Sequence, residues 1–229
     1  MHRRELLIAS LPAMPLIATR GLATPDRPRA VVLELFTSQA CSSCPPADAF
    51  LGELSRQPGV IALAWHVDYW NNLGWRDPYA RREWTDRQQS YARNLREEVY
   101  TPALVVNGAA MVVGSDKAAV RGAIDAAASP PVAVTLRRTA SALEAEIGST
   151  GEAMTGTLVI YDPVQATLVN AGENQGRQLT EYRIVREAIE VGGVTARMTF
   201  PPIAAHRGTA LLIRGLAGRV LGAADLPAT

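Results

Sequence analysis

From Val31 to Phe36 the chain is apolar at every position but Glu34, and from Val60 to Trp65 it is apolar throughout. Continuous runs of this length, without polar alternation, are the pattern of strands buried on both faces. Between them Pro45-Pro46 opens a segment with Phe50, Leu51 and Leu54 at helical spacing, and Pro58-Gly59 supplies a turn. Strand, helix, strand in this order reads as a βαβ unit with parallel strands. Asn71 to Glu98 is polar and charged, and Asp77-Pro78 introduces a helix whose apolar face carries Trp84, Tyr91 and Leu95. Arg81, Arg82, Arg87, Arg93 and Arg96 alternate with acids and amides along it, which reads as a solvated face rather than an anion site. Two short apolar runs then flank Asn107-Gly108, a hairpin signal, and Thr101-Pro102 opens the first of them. Ser115 or Asp116 is placed to cap a helix over 117–128, with Val120, Ile124 and Ala127 on its apolar side.

Ser129-Pro130-Pro131 marks a boundary. Beyond it helical periods stop, and short β-branched runs are expected as strands at 132–136, 143–147, 157–161, 166–169, 184–191, 195–200, 210–213 and 220–221. Asp162-Pro163, Gly192-Gly193, Pro201-Pro202 and Gly215 read as the turns between them. The predicted architecture is α/β over 30–129, followed by a small antiparallel, sandwich-like β-rich domain over 131–229. Asn170 to Arg177 (NAGENQGR) stands out as a polar loop with two glycines, of the kind that carries function more often than core.

Residues 1–23 stand apart from this scheme. A basic start with Arg3-Arg4, an apolar stretch interrupted by Pro12 and Pro15, and small residues at Gly21-Leu22-Ala23 read as an export signal. The paired arginines resemble a twin-arginine signal, with the general secretory route as the alternative. The expectation is a periplasmic or secreted protein beginning near Thr24, with no membrane span after cleavage. Taking Arg3, Arg4, Arg20 and Glu5 from the 23 Lys+Arg and 22 Asp+Glu leaves a net charge of −1. That balance gives no reason to expect nucleic acid.

The candidate chemistry lies where the first strand meets the first helix. Cys41-Ser42-Ser43-Cys44 contains both cysteines of the chain, which excludes a four-cysteine metal knuckle. A disulfide between residues three apart closes almost no loop, so a purely structural role gains little. A C-x-x-C between strand and helix reads as a redox pair, Cys41 attacking and Cys44 resolving. Pro45 is expected to push Cys44 out of α geometry and to start the helix there, leaving Cys41 further out in the loop. Glu34, among apolar neighbours, is either a proton acceptor of raised pKa or a structural acid held by hydrogen bonds. At the end of the second run His66, Asp68 and Trp70 alternate onto one side and are candidate binding residues facing the cysteines. The plainer alternative is that His66 and Asp68 satisfy each other or the backbone.

Residues 31–128 resemble the thioredoxin fold: strand, C-x-x-C, helix, strand, helix, Thr-Pro-led strand, hairpin, helix. The resemblance implies that Pro102 is cis and packs beside the cysteines. Thioredoxins carry a buried acid six residues before the first cysteine, whereas Glu34 lies seven before Cys41. More narrowly, LELFTSQACSSCPPAD, AWHVDYWNNLGWRDPY, YTPALVVNG and NAGENQGRQL resemble a secreted bacterial family catalogued as domain of unknown function 1223. Two functions remain open. One is a periplasmic thiol–disulfide oxidoreductase using Cys41 and Cys44, with a thiol or disulfide protein as partner and no cofactor. The other is an exported Cu(I)-binding protein with Cys41, Cys44 and His66 as ligands, since thiolates and imidazole suit that ion. Thioredoxin-fold copper chaperones space their cysteines by three residues rather than two.

Overall fold

The computed structural model describes residues 30–149 and 151–229, so the export signal expected at 1–23 lies outside the described residues. Strand β1 (Val31–Thr37), helix α1 (Pro45–Leu54), strand β2 (Val60–His66), helix α2 (Arg82–Leu95), strands β3 (Ala103–Val106) and β4 (Ala110–Val113) and helix α3 (Lys117–Ala126) follow in the expected order. β1 and β2 pair in parallel, β3 runs antiparallel to β1, and β4 antiparallel to β3. Strand alternation then divides two cores. Val31, Leu33, Leu35, Ala62 and Ala64 pack with Phe50, Leu51 and Leu54 of α1 and Val120 of α3. Val32, Phe36, Ile61, Leu63 and Trp65 point the other way, against Trp84 and Tyr91 of α2. The local signals act as their chemistry requires. Asn107 and Gly108 both adopt positive φ in the hairpin. Asp116 accepts hydrogen bonds from the backbone N–H groups of Ala118 and Ala119 at the start of α3.

After the prolines come β5 (Val134–Arg138), β6 (Leu143–Ile147), β7 (Thr155–Leu168), β8 (Gln178–Val191), β9 (Arg197–Phe200), β10 (Gly208–Arg214) and β11 (Val220–Leu226). β5, β6 and β9 form a small antiparallel sheet, packed through Leu143, Ala145 and Ile147 onto Leu158, Leu211 and Ile213 of β7 and β10. That packing is sandwich-like, as expected. The remaining four strands, however, do not stand apart from residues 30–129. They continue the first sheet, in the order β11-β10-β7-β8-β2-β1-β3-β4. The join is the parallel bridge between Ala64 of β2 and Ile184 of β8. Without it β2 would be an open edge strand, and covering such an edge is a standard way to block unwanted pairing.

The expected break at Asp162-Pro163 is also absent. β7 passes through it, with Asp162 opposite Ile184 and Val164 opposite Tyr182. Pairing with β10 ends at Tyr161, so this part of β7 is an edge strand, where proline is tolerated. The β7–β8 hairpin therefore runs on past the sheet as an arm and lies across α1. Tyr182 on the arm covers Gly52 so closely that an added Cβ would meet the ring at 2.4 Å. Gly52→Ala is expected to lower stability by about 1–3 kcal/mol through overpacking, read as a reduced urea midpoint at unchanged slope.

Candidate redox site

Cys41 and Cys44 form a disulfide with Cα atoms 5.5 Å apart. Ser38 and Cys41 accept successive backbone bonds, Cys41 N–H to Ser38 O and Cys44 N–H to Cys41 O, which wind the loop from the end of β1 into α1. Helix α1 begins at Pro45 with Cys44 as its N-cap, as expected. Cys44 itself is in the αR region, contrary to the expectation that Pro45 would exclude it. Its N–H is tied to the Cys41 carbonyl, and its own carbonyl accepts from Ala47 and Asp48, so the turn holds it helical. Neither cysteine exposes any surface, while Ser42 and Ser43 between them are exposed.

Hydroxyl groups converge on Cys41. Thr101 Oγ1 donates to its Sγ at 3.3 Å, and Ser43 Oγ lies 3.3 Å from the same sulfur. Trp70 Nε1 donates to Thr101 Oγ1 at 2.8 Å, so Trp70 acts on the cysteine through Thr101. The Thr101–Pro102 bond is cis. The other two residues predicted beside Trp70 go elsewhere. Asp68 accepts from Thr85 Oγ1 at 2.6 Å on α2, and His66 turns into the interior. The three do not converge, because β2 ends at His66 and strand alternation ends with it.

Behind the disulfide lies a buried group of ionisable side chains that sequence reasoning did not assemble. His66 Nδ1 is 2.7 Å from Asp77 Oδ2, and the same oxygen accepts the backbone N–H of Gln39. Gln39 Nε2 donates to Glu181 Oε2 at 2.6 Å, and its Oε1 accepts from Trp75 Nε1. Glu181 Oε1 lies 3.9 Å from His66 Nε2. Asp48 is also buried, one turn after Cys44 on the same side of α1. Burial alone would depress His66, but the carboxylates of Asp77, Glu181 and Asp48 outweigh it and raise it to about 9. Burial and the neighbouring Glu181 push Asp48 up to about 7, against the attraction of His66. Glu181 is raised, mainly by burial. Asp77 is burial's exception: His66 and the bonds it accepts hold it below the usual carboxylate range.

Glu34 is not part of this group. It shares the strand parity of Val32 and Phe36 and so faces α2, on the opposite side of the sheet from α1. Arg87 Nε donates to its Oε2 at 2.6 Å and Tyr91 OH to its Oε1 at 2.5 Å. Although burial works to raise it, Arg87 lowers its pKa overall. A salt-bridged carboxylate of lowered pKa is a poor proton acceptor, which corrects the first role considered for Glu34 and leaves the structural one. Arg87 is likewise no solvated surface charge: burial would lower its pKa, but Glu34 raises it overall. Cys41, Cys44 and His66 do not come together as a metal-ligand set. Among the described residues no group of three or more His, Cys, Asp or Glu is arranged to hold an ion. His66 is directed instead at the two carboxylates.

The loop from Asn170 to Arg177 closes over the same loop of cysteines. Asn174, fully buried, donates through Nδ2 to the carbonyls of Gln39 and Cys41, both at 2.9 Å. Glu173 Oε2 accepts the N–H of Ser42 at 3.0 Å. The polar loop stands out in the sequence; Asp48 does not figure there, although its position four residues after Cys44 is a helical spacing that could have flagged it. Nothing local points to Asp77 or Glu181 as partners of position 66.

The family described as "Protein of unknown function (DUF1223)" matches residues 32–210. The chain belongs to the DUF1223 family. Among solved structures, protein AGR_C_4864 from Agrobacterium tumefaciens is similar to it at 31% identity. The TM-score is 0.75, covering 87% of this chain and 94% of that one. HBP35 of Porphyromonas gingivalis is similar at 12% identity and a TM-score of 0.58, covering 87% and 75%, a likeness of fold alone. No curated protein matches the sequence.

Two predictions separate the two acidic sites of this DUF1223 protein. Glu34→Gln leaves Arg87 buried and unpaired and is expected to cost about 3–5 kcal/mol in urea denaturation while leaving the Cys41–Cys44 disulfide intact. For Asp48, the folded pKa of about 7 lies above the ordinary 3.8. The folded chain therefore keeps a proton that the unfolded chain releases, and stability falls as pH rises across that window. Asp48→Asn is expected to flatten this segment of the stability–pH curve. His66, raised from 6.5 to about 9, contributes stability that is complete below 6.5 and lost as pH rises through 9. A loss of stability between 6.5 and 9 is expected to persist in Asp48→Asn.

Proposed function

We propose that the protein is an exported thiol–disulfide oxidoreductase of thioredoxin-like fold, acting through Cys41 and Cys44 on protein thiols or disulfides of the periplasm. The observation that carries this reading is the Cys41–Cys44 disulfide at the N-terminus of α1, with a hydroxyl donor on Cys41 and a protonatable acid behind Cys44. The β-α-β-α-β-β-α order and the cis Thr101–Pro102 bond support the fold assignment. The character of residues 1–23 supports export, where disulfides persist. Among the described residues no helix is long and apolar enough to cross a membrane.

In the reducing direction for this protein, a partner thiolate attacks Cys41 Sγ and a new S–S bond forms. The Cys41–Cys44 bond breaks and its electron pair leaves on Cys44 as a thiolate. Asp48, with a pKa near neutrality, supplies the proton that Cys44 takes up. A second thiolate of the partner then displaces Cys41 and closes the partner's own disulfide; the two protons shed by the partner's thiols restore Asp48 and protonate Cys41, completing a two-electron, two-proton exchange. Thr101 and Ser43 hydroxyls stabilise the departing Cys41 thiolate as donors. In the opposite direction Cys41 is the attacking thiolate and Cys44 the resolving one.

Mass spectrometry in graded glutathione buffers is expected to show a two-proton mass change, and Cys44→Ser a mixed disulfide trapped through Cys41. Thr101→Val is expected to raise the Cys41 thiol pKa and slow its alkylation at neutral pH. Absence of any two-proton change across the glutathione range would sink the redox reading. Stoichiometric Cu(I) binding lost with Cys41 or His66 substitution would replace it with the metal-binding one.

A further inference from the structure

The proposed exchange meets an obstacle in the structure itself. Attack on a disulfide needs the incoming sulfur to approach Cys41 Sγ directly, and Cys41 has no exposed surface. Something must open before the reaction. The arm formed by β7 and β8 carries a segment placed to do so. Its tip, closed by hydrogen bonds of Val169 N–H to Arg177 O and Gly176 N–H to Val169 O, lies against both the cysteine loop and the segment at Leu73–Trp75. At Gly172, φ is +73° and an added Cβ would meet Leu73 O at 3.1 Å, so any other residue there would be strained and would push the tip outward by a few tenths of an ångström.

The attachment to the cysteine loop is short and polar. Asn174 is its pin: Nδ2 bonds to Gln39 O and Cys41 O, and Oδ1 accepts from Arg177 Nη1 at 2.7 Å. Glu173 is its outer latch, exposed, with the Ser42 N–H as its partner. Ala171, half-buried, is the one apolar side chain between Asn170 and Arg177 (NAGENQGR), and a single methyl group buries little surface. A contact made of a few hydrogen bonds, one of them in water, is a local opening of low free energy compared with global unfolding.

We propose that Asn170–Arg177 is a strap that gates the Cys41–Cys44 disulfide. Asn174 is the positioning residue that holds the cysteine loop closed, and release of Asn174 and Glu173 admits the attacking thiol. This rests on the redox reading above, but its test is kinetic whereas that of the reading is the existence of the exchange. The oxidised full-length mature protein is reduced with dithiothreitol, and free thiol is followed with time.

Asn174→Ala is expected to speed reduction about three- to tenfold, as loss of a buried hydrogen bond would. Glu173→Ala is expected to give a smaller acceleration, and Glu173→Asp to stay near the wild type. Glu173→Ala touches no core and keeps the test valid if Asn174→Ala folds poorly. Leu143→Ala, in the core beneath the small sheet, is the control for general loosening and is expected to leave the rate unchanged. Hydrogen exchange at the Ser42 amide is expected to accelerate with the strap variants and not with the control. The gate is overturned if neither strap variant speeds reduction, if Leu143→Ala speeds it as much, or if Thr101→Val alone does so. In each case the wild type still cycles between dithiol and disulfide, so the oxidoreductase reading stands or falls separately.

Discussion

The buried link from His66 through Asp77 and Gln39 to Glu181 is the interaction on which the rest of the site depends. Each member comes from a different piece of chain: the end of β2, the loop after it, the loop after β1, and β8. Removing charges from water is costly, and it is tolerated only when the charges find partners and hydrogen bonds. Here a His66 cation raised to about 9 sits among carboxylates, and Gln39 bridges between them. Because Gln39 lies two residues before Cys41, satisfying this cluster also fixes where the cysteine loop starts. Stability and the geometry of the disulfide loop are set by the same bonds.

That cluster explains why the C-terminal strands belong to the first sheet. β8 joins β2 by one parallel bridge, a weak attachment by itself. Glu181, Tyr182 and Arg183 strengthen it three ways, into the cluster, onto Gly52 of α1, and through Arg183 Nε to Ala62 O. Arg183 takes a positive φ to do so and is held from the far side by Asp225. The β-rich half thus contributes to the cysteine site from below through Glu181 and from above through Asn174 and Glu173.

Glu34, the acid singled out in the sequence, and Asp48, which the structure adds, take opposite roles for a geometric reason. Glu34 lies on the strand face toward α2, where Arg87 neutralises it and fixes it as an anion. Asp48 lies toward the interior beside Glu181, where among the described residues no arginine offsets its burial and its pKa is raised to about 7. An acid that holds its proton near neutrality suits proton exchange, whereas an ion-paired one suits packing. Placement relative to the sheet, rather than distance along the chain from Cys41, separates the two.

The order of elements up to Ala126 was legible along the chain, because each depends on local chemistry. Continuous apolar runs make buried strands, Asn107-Gly108 makes its hairpin, Asp116 caps its helix, and Pro45 starts α1. The sequence also set Cys41 and Cys44 three residues apart at a strand–helix junction, close enough to bond without help from the rest of the chain. Even the side taken by Glu34 was legible in its parity with Val32 and Phe36. The contacts that join distant segments needed the folded chain: His66 to Asp77 rather than Asp68, Gln39 to Glu181 across 142 positions, and Asn174 to Cys41 across 133. Buried charges choose partners by where the sheet brings them, and periodicity along one strand carries no information about a strand that pairs beside it.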